Sequence, residues 1–225
     1  MSDASREAIL NCVRRALSAP SEKPAWLGHP ETPGPFFSLP EPTISACRDR
    51  FREELTSLFG EFHEAKSMAD ARTWLATFSQ SLPPSSKILS AGGASLDPLL
   101  TGLENIVPIN PAGSSVDWAK AAAGITLCES LVAESGTIAV SAAQTGRAGS
   151  ILPPIHLVVA TADQLVPDLD TSLARLRERY PDALPSTMSW ITGPSRTGDI
   201  EKILVLGAHG PKRLLVLLLP AGSLD

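Results

Sequence analysis

The chain has 225 residues, 43% of them hydrophobic, 19% charged and 5% aromatic, with a formal net charge of −5. That composition excludes wholesale disorder, and it leaves no global electrostatic attraction to nucleic acid or to an anionic membrane. The longest apolar run, Leu214 to Leu219, stops at Pro220, far short of the roughly 18 residues needed to span a bilayer. Charges at Asp3, Arg6, Glu7, Arg14 and Arg15 interrupt any signal-peptide core over Met1 to Ala19. Cys12, Cys47 and Cys128 form no CxxC pair, so free thiols in a reducing cytoplasm are expected. The same spacing offers no iron–sulfur or zinc-thiolate ligand set.

From the N-terminus, Ile9, Leu10, Val13 and Leu17 fall on one face of a helix expected over Ser2 to Ser18. Prolines at 20, 24, 30, 33, 35, 40 and 42 then forbid helix and central strand. Ala19 to Thr43 therefore reads as an extended arm, with Trp26, Phe36, Phe37 and Leu39 as packing residues. Residues 1–43 are expected to form an appendage, suited to reaching a second copy of the chain, and residues 44–225 the main domain.

Ser45 to Phe59 is expected to be helical, with Phe51, Leu55 and Leu58 on one face, and Glu61 to Ala65 extended. Ser67 with Asp70 three residues on is a capping-box signal. It opens a helix with Trp74, Leu75, Phe78 and Leu82 inward, closed by Pro83-Pro84. Strands are expected at Lys87–Ala91, Ile106–Ile109, Thr137–Ser141, His156–Ala160, Met188–Thr192 and Leu214–Leu219, with helices at Trp118–Ala123 and Gln164–Arg179. Short strands alternating with helices argue an α/β fold, a mostly parallel sheet flanked by helices. Ligands of such sheets bind beyond the carboxyl ends of the strands, so the loops there are the first candidates for chemistry.

Five loops carry unusual residues. Gly92-Gly93 follows a strand and either makes a tight turn or brings backbone N–H groups to an anion. Glu134-Ser135-Gly136-Thr137 sets a carboxylate and two hydroxyls around a glycine. Glu134 can serve there as base, nucleophile or cation partner, or simply end a helix. Gly146 to Leu152, with Arg147, reads as a loop able to close over a ligand, or as an ordinary exposed loop.

Gly193-Pro194-Ser195-Arg196-Thr197 follows an apolar strand, so hydroxyls, free N–H groups and a guanidinium meet there, and Asp199 and Glu201 come next. That is carboxylate- or phosphate-binding chemistry, or a capped helix start beside a surface ion pair. Gly207-Ala208-His209-Gly210-Pro211-Lys212 leaves His209 flanked by small residues, either available for acid–base work or merely exposed. Glu134, Asp199, Glu201 and His209 show no metal-ligand spacing.

Taken together, Glu134-Ser135-Gly136-Thr137, Leu152-Pro153 before His156, Gly193 to Thr197, Asp199-Ile200-Glu201 and His209-Gly210-Pro211-Lys212 resemble, in order and spacing, the LUD-domain (DUF162) family. Ser135 stands where that pattern has Thr, and Gly198 where it has Ala. The resemblance implies a Rossmann-like core of the kind found in the sugar-phosphate isomerase and CoA-transferase superfamily. It also implies a part in oxidising L-lactate to pyruvate with partner proteins that carry iron–sulfur clusters. This chain would then be a non-redox subunit without a cofactor of its own.

On that reading a small carboxylate pairs with Arg196 and is surrounded by Gly136, Thr137, Gly193, Ser195, Thr197, Gly210 and Lys212, with Glu134, His209 and Asp199 as candidate catalytic groups. Two other readings stay open: a stand-alone enzyme of CoA-transferase or sugar-phosphate isomerase type using Glu134, and a scaffold without a ligand.

Overall fold

A computed structural model describes residues 3–18, 42–110, 115–197 and 205–224. Most of the expected arm (residues 19–41) and the stretch with Gly198, Asp199 and Glu201 lie outside the described residues. Helix α1 (Asp3–Ser18) covers the expected N-terminal helix, and Arg14 bonds locally to Glu7 and Asn11. It belongs to a unit separate from the rest of the chain.

In the main unit, α2 (Ile44–Ser57) starts where Thr43 Oγ1 accepts the Ala46 N–H at 3.1 Å. Its Cys47, Phe51 and Leu55, each four residues from the next, form its buried stripe. Strand β1 (Glu61–Glu64) leads to α3 (Met68–Gln80). Ser67 Oγ caps α3 by accepting the Asp70 N–H, while the Asp70 carboxylate reaches back to the Lys66 N–H at 2.9 Å. The reciprocal bond of the expected capping box thus lands one residue upstream. Ser67→Ala is expected to cost about 1 kcal/mol; urea denaturation checks it, and an unchanged midpoint would show that the cap contributes nothing.

The remaining elements are β2 (Ile88–Ser90), a 3-10 turn (Gly93–Leu96) running into α4 (Asp97–Leu100), β3 (Ile106–Pro108), α5 (Ser115–Lys120), β4 (Ala123–Thr126), β5 (Ser130–Val132), β6 (Thr137–Ser141), α6 (Ala142–Thr145), β7 (Ile155–Thr161), β8 (Leu165–Val166), α7 (Leu169–Arg179), β9 (Met188–Thr192), β10 (Arg196–Thr197), β11 (Val205–Leu206) and β12 (Arg213–Leu219). Six strands form one sheet in the order β1-β12-β7-β4-β2-β3, and every neighbouring pair is parallel. A second sheet, β8-β5-β6-β9, is mixed. β10 and β11 form a two-stranded antiparallel ribbon.

Period-two alternation explains the layers. Along β12, Leu215, Leu217 and Leu219 join α3, α4 and β2 in one core. The intervening Leu214, Val216 and Leu218 join α2 and the second sheet in another. On β7, Leu157 and Val159 go to the first core, Val158 and Ala160 to the second. A strand buried on both faces reads as a continuous apolar run, which is the form these two take.

Two expected helices have other bounds than their sequence pattern. α5 ends at Lys120, and Ala123 belongs to strand β4. α7 starts at Leu169 because Asp168 Oδ1 accepts the Thr171 N–H at 2.7 Å and fixes the N-cap there. Residues 162–166, expected as its first turn, form a 3-10 turn and strand β8.

Candidate functional site

Two cavities flank the parallel sheet, one at each end of its strands. The first, of about 290 Å³, gathers four of the expected site residues: Gly193, Ser195, His209 and Gly210. Backbone bonds tie their loops together, since Ser195 N–H donates to Pro211 O at 2.9 Å and Gly207 N–H to Ser195 O at 2.8 Å. A Cβ on Gly210 would stand 3.2 Å from that of Ser195, so only a small residue fits this approach. His209 is exposed at this cavity.

Ser150, Ile151 and the fully buried His156 complete the wall. His156 Nε2 lies 2.8 Å from Thr126 Oγ1, while Nδ1 has no hydrogen-bond partner. Burial alone pulls this imidazole down to about 4, so it is neutral at pH 7. The cavity adjoins the start of β7 and the residues before β12, the amino ends of those strands.

Other expected residues are not among those that line that cavity. Glu134 sits in the tight turn joining antiparallel β5 and β6, where Oε1 accepts the Leu169 N–H at 3.1 Å, at the N-terminus of α7. Thr137 Oγ1 is 2.8 Å from Ser135 Oγ and 2.7 Å from Thr192 Oγ1, a chain of three hydroxyls. Gly136 has φ 61° and packs against the backbone of α2. Arg196 is exposed on β10, and Thr197 is its neighbour there. Lys212 is exposed, with its stem against Gly207. None of Glu134, Gly136, Thr137, Arg196, Thr197 and Lys212 lines the His209 cavity. Glu134 thus belongs to a different turn from His209, while Arg196 Nη2 comes within 3.8 Å of where a Cβ on Gly193, a residue of the His209 cavity, would stand.

The Gly146–Leu152 loop packs inward at Gly149, while Ser150 and Ile151 line the His209 cavity. A Cβ on Gly149 would meet the Trp118 ring at 3.1 Å and Thr145 O at 2.8 Å.

The second cavity, of about 330 Å³, opens beyond the carboxyl ends of the strands. Ser95 comes from the loop after β2, Glu129 from the loop after β4, Thr161 and Asp163 from the end of β7, and Leu224 from the segment after β12. α7 adds Arg175 and Arg179, one turn apart. At its centre is Glu129, whose side chain is only 2% exposed. Ser141 Oγ and Tyr180 Oη donate to its Oε1, the latter at 2.8 Å, and Arg179 Nη1 stands 3.2 Å from Oε2. Gln144, with its amide turned to face the guanidinium, accepts from Arg179 at 2.9 Å. Burial pushes the Tyr180 phenol up, so it stays a donor. Arg175 Nη1 donates to the Asp163 carbonyl at 2.8 Å and makes no ion pair among the described residues.

Of this cavity's lining, sequence reasoning reached only the Gly92–Ser95 loop. Glu129, Arg175 and Arg179 are missed, although the two arginines are spaced i, i+4 on a helix that the pattern does show. Among the described residues no group of three or more His, Cys, Asp or Glu could hold a metal ion, and no helix is long and apolar enough to cross a membrane.

Residues 115–219 match the family model for the LUD domain. Apart from Ser95 and Leu224, every residue lining the two cavities falls inside that stretch.

Proteins similar to this chain include lactate utilization protein C from Bacillus subtilis strain 168, 36% identical over 98 residues, which are 42% of this chain and 41% of that protein. The protein of that name from Deinococcus radiodurans is 34% identical over 122 residues, 53% of this chain and 57% of that one. The one from Halalkalibacterium halodurans is 39% identical over 93 residues, 40% of each. The chain spans between about two-fifths and a little over half the length of these curated relatives. The crystal structure of a DUF162 family protein from Deinococcus radiodurans superposes with a TM-score of 0.61. It covers 79% of this chain and 98% of that one at 21% identity, a likeness of fold.

Proposed function

We propose that this protein serves in lactate utilisation as a subunit that holds L-lactate or pyruvate. Converting a 2-hydroxy acid to a 2-oxo acid releases two electrons and two protons. In this reading partner proteins with iron–sulfur clusters take the electrons, and this chain binds and orients the acid. The relatives' shared name supports the pathway. The observation that carries the binding role is that the stretch matching the LUD domain is also the stretch that builds most of both cavities. A three-carbon acid offers one carboxylate for bidentate contact and one oxygen on C2 for a directional hydrogen bond, and both cavities hold polar side chains within a partly apolar wall.

Titration of the full chain with L-lactate and with pyruvate in a calorimeter tests this. Saturable binding of at least one acid is expected, and the absence of heat with both, up to concentrations well above those in a cell, would refute the binding role.

A further inference from the structure

We infer that the acid is held in the carboxyl-end cavity, by Arg175 and Arg179 through its carboxylate and by Glu129 through its 2-hydroxyl. This rests on the binding role proposed above and adds the location and the recognition chemistry. Three observations separate this cavity from its counterpart at the amino ends.

The first is charge. Two guanidiniums line the carboxyl-end cavity, whereas among the described residues no Arg or Lys lines the other. Arg179 is already matched to Glu129, but Arg175 spends one N–H on a backbone carbonyl and has no carboxylate partner among the described residues. An incoming monoanion supplies the missing charge, and the planar fork of a guanidinium fits a carboxylate edge-on.

The second is Glu129. A carboxylate buried to this degree is costly to desolvate unless donors surround it. Here Ser141 and Tyr180 saturate Oε1, while Oε2 faces Arg179 and keeps acceptor capacity for one more donor. A 2-hydroxyl is such a donor. A 2-oxo group is not, since it has no proton to give. The cavity thus has chemistry that distinguishes L-lactate from pyruvate, which the shared carboxylate alone does not provide.

The third is position. Glu129, Ser95 and Thr161 arrive from the ends of three adjacent parallel strands, β4, β2 and β7, and converge because those strands are neighbours in the sheet. This is the general ligand crevice of open parallel sheets.

Calorimetry on the full chain decides between the two cavities, using L-lactate and pyruvate as probes and comparing wild type with R175A, E129Q and H209A. R175A is expected to weaken both acids about tenfold or more, and E129Q to weaken L-lactate about tenfold while changing pyruvate far less. H209A is expected to leave both unchanged. Arg175 is exposed on α7, so its replacement leaves the core intact and decides the question even if E129Q folds poorly. Loss of affinity in H209A with R175A unaffected would move the acid to the amino-end cavity and overturn this assignment while keeping the binding role. Binding of neither acid by wild type would remove both.

Discussion

Replacing Gly136 with alanine is expected to destabilise the main unit by about 3 kcal/mol, a large share of a typical folding free energy. Two costs add. The residue has φ 61°, where an L side chain costs about 1 kcal/mol. The added Cβ would also lie 2.4 Å from Leu55 N and 2.8 Å from Glu54 C. Those are backbone atoms in the last turn of α2, and no rotamer change can move them. The helix must lift off the β5–β6 turn, opening the core where Phe51 and Leu55 meet Leu131 and Ile138.

Gly93 provides the control. Its φ is 57°, but an added Cβ meets nothing within 4 Å, so Gly93→Ala is expected to cost only the conformational part, about 1 kcal/mol. Urea denaturation of the two variants separates the contributions. Equal costs would mean that α2 does not press on the turn as described.

The same turn shows why the fold was more legible than the site. β7 and β12 announce themselves because burial on both faces demands an uninterrupted apolar run, and β6 and β9 stand as isolated β-branched or aromatic segments with clear ends. β4 does not, because it is Ala-Gly-Ile-Thr. Its Gly124 is required by packing, since a Cβ there would stand 2.8 Å from Gly149 O, yet a glycine in so short a segment reads as a break in a strand. With β4 unseen, Glu129 looks like one more loop residue rather than the first carboxylate beyond a strand end.

The glycine-rich loops stand out in the sequence for the opposite reason. Gly193, Gly207 and Gly210 mark tight loop packing, whether or not a ligand lies beside it. Of these loops, the one bearing His209 runs from the ribbon strand β11 into β12 instead of following a strand of the parallel sheet, which puts it at the amino ends. Local sequence reports backbone constraint well. It reports convergence of distant side chains poorly, because Glu129, Arg175 and Arg179 meet only through the order of strands in the sheet.

Acidification is expected to remove on the order of 3 kcal/mol of stability through His156 alone. An unfolded imidazole titrates near 6.5, while burial brings the folded one to about 4. Above pH 6.5 the ring is neutral in both states and the fold keeps this contribution in full. Between about 6.5 and 4 the unfolded chain takes up a proton that the folded one refuses, so stability declines as pH falls. Below about 4 both states are charged and the loss levels off. A gap of roughly 2.5 pH units corresponds to about 3 kcal/mol.

The cause is structural. Protonated His156 would need acceptors at both nitrogens, and Nδ1 has none in a fully buried position, while Nε2 already engages Thr126 Oγ1. No nearby carboxylate enters as a compensating charge. Urea denaturation of wild type and His156→Gln at several pH values measures the effect as a difference, which cancels the contribution of the acidic residues. The variant is expected to be less stable at pH 7 but to show a shallower fall between 6.5 and 4. Parallel curves for the two proteins would place His156 outside the acid transition and contradict its burial as a neutral ring.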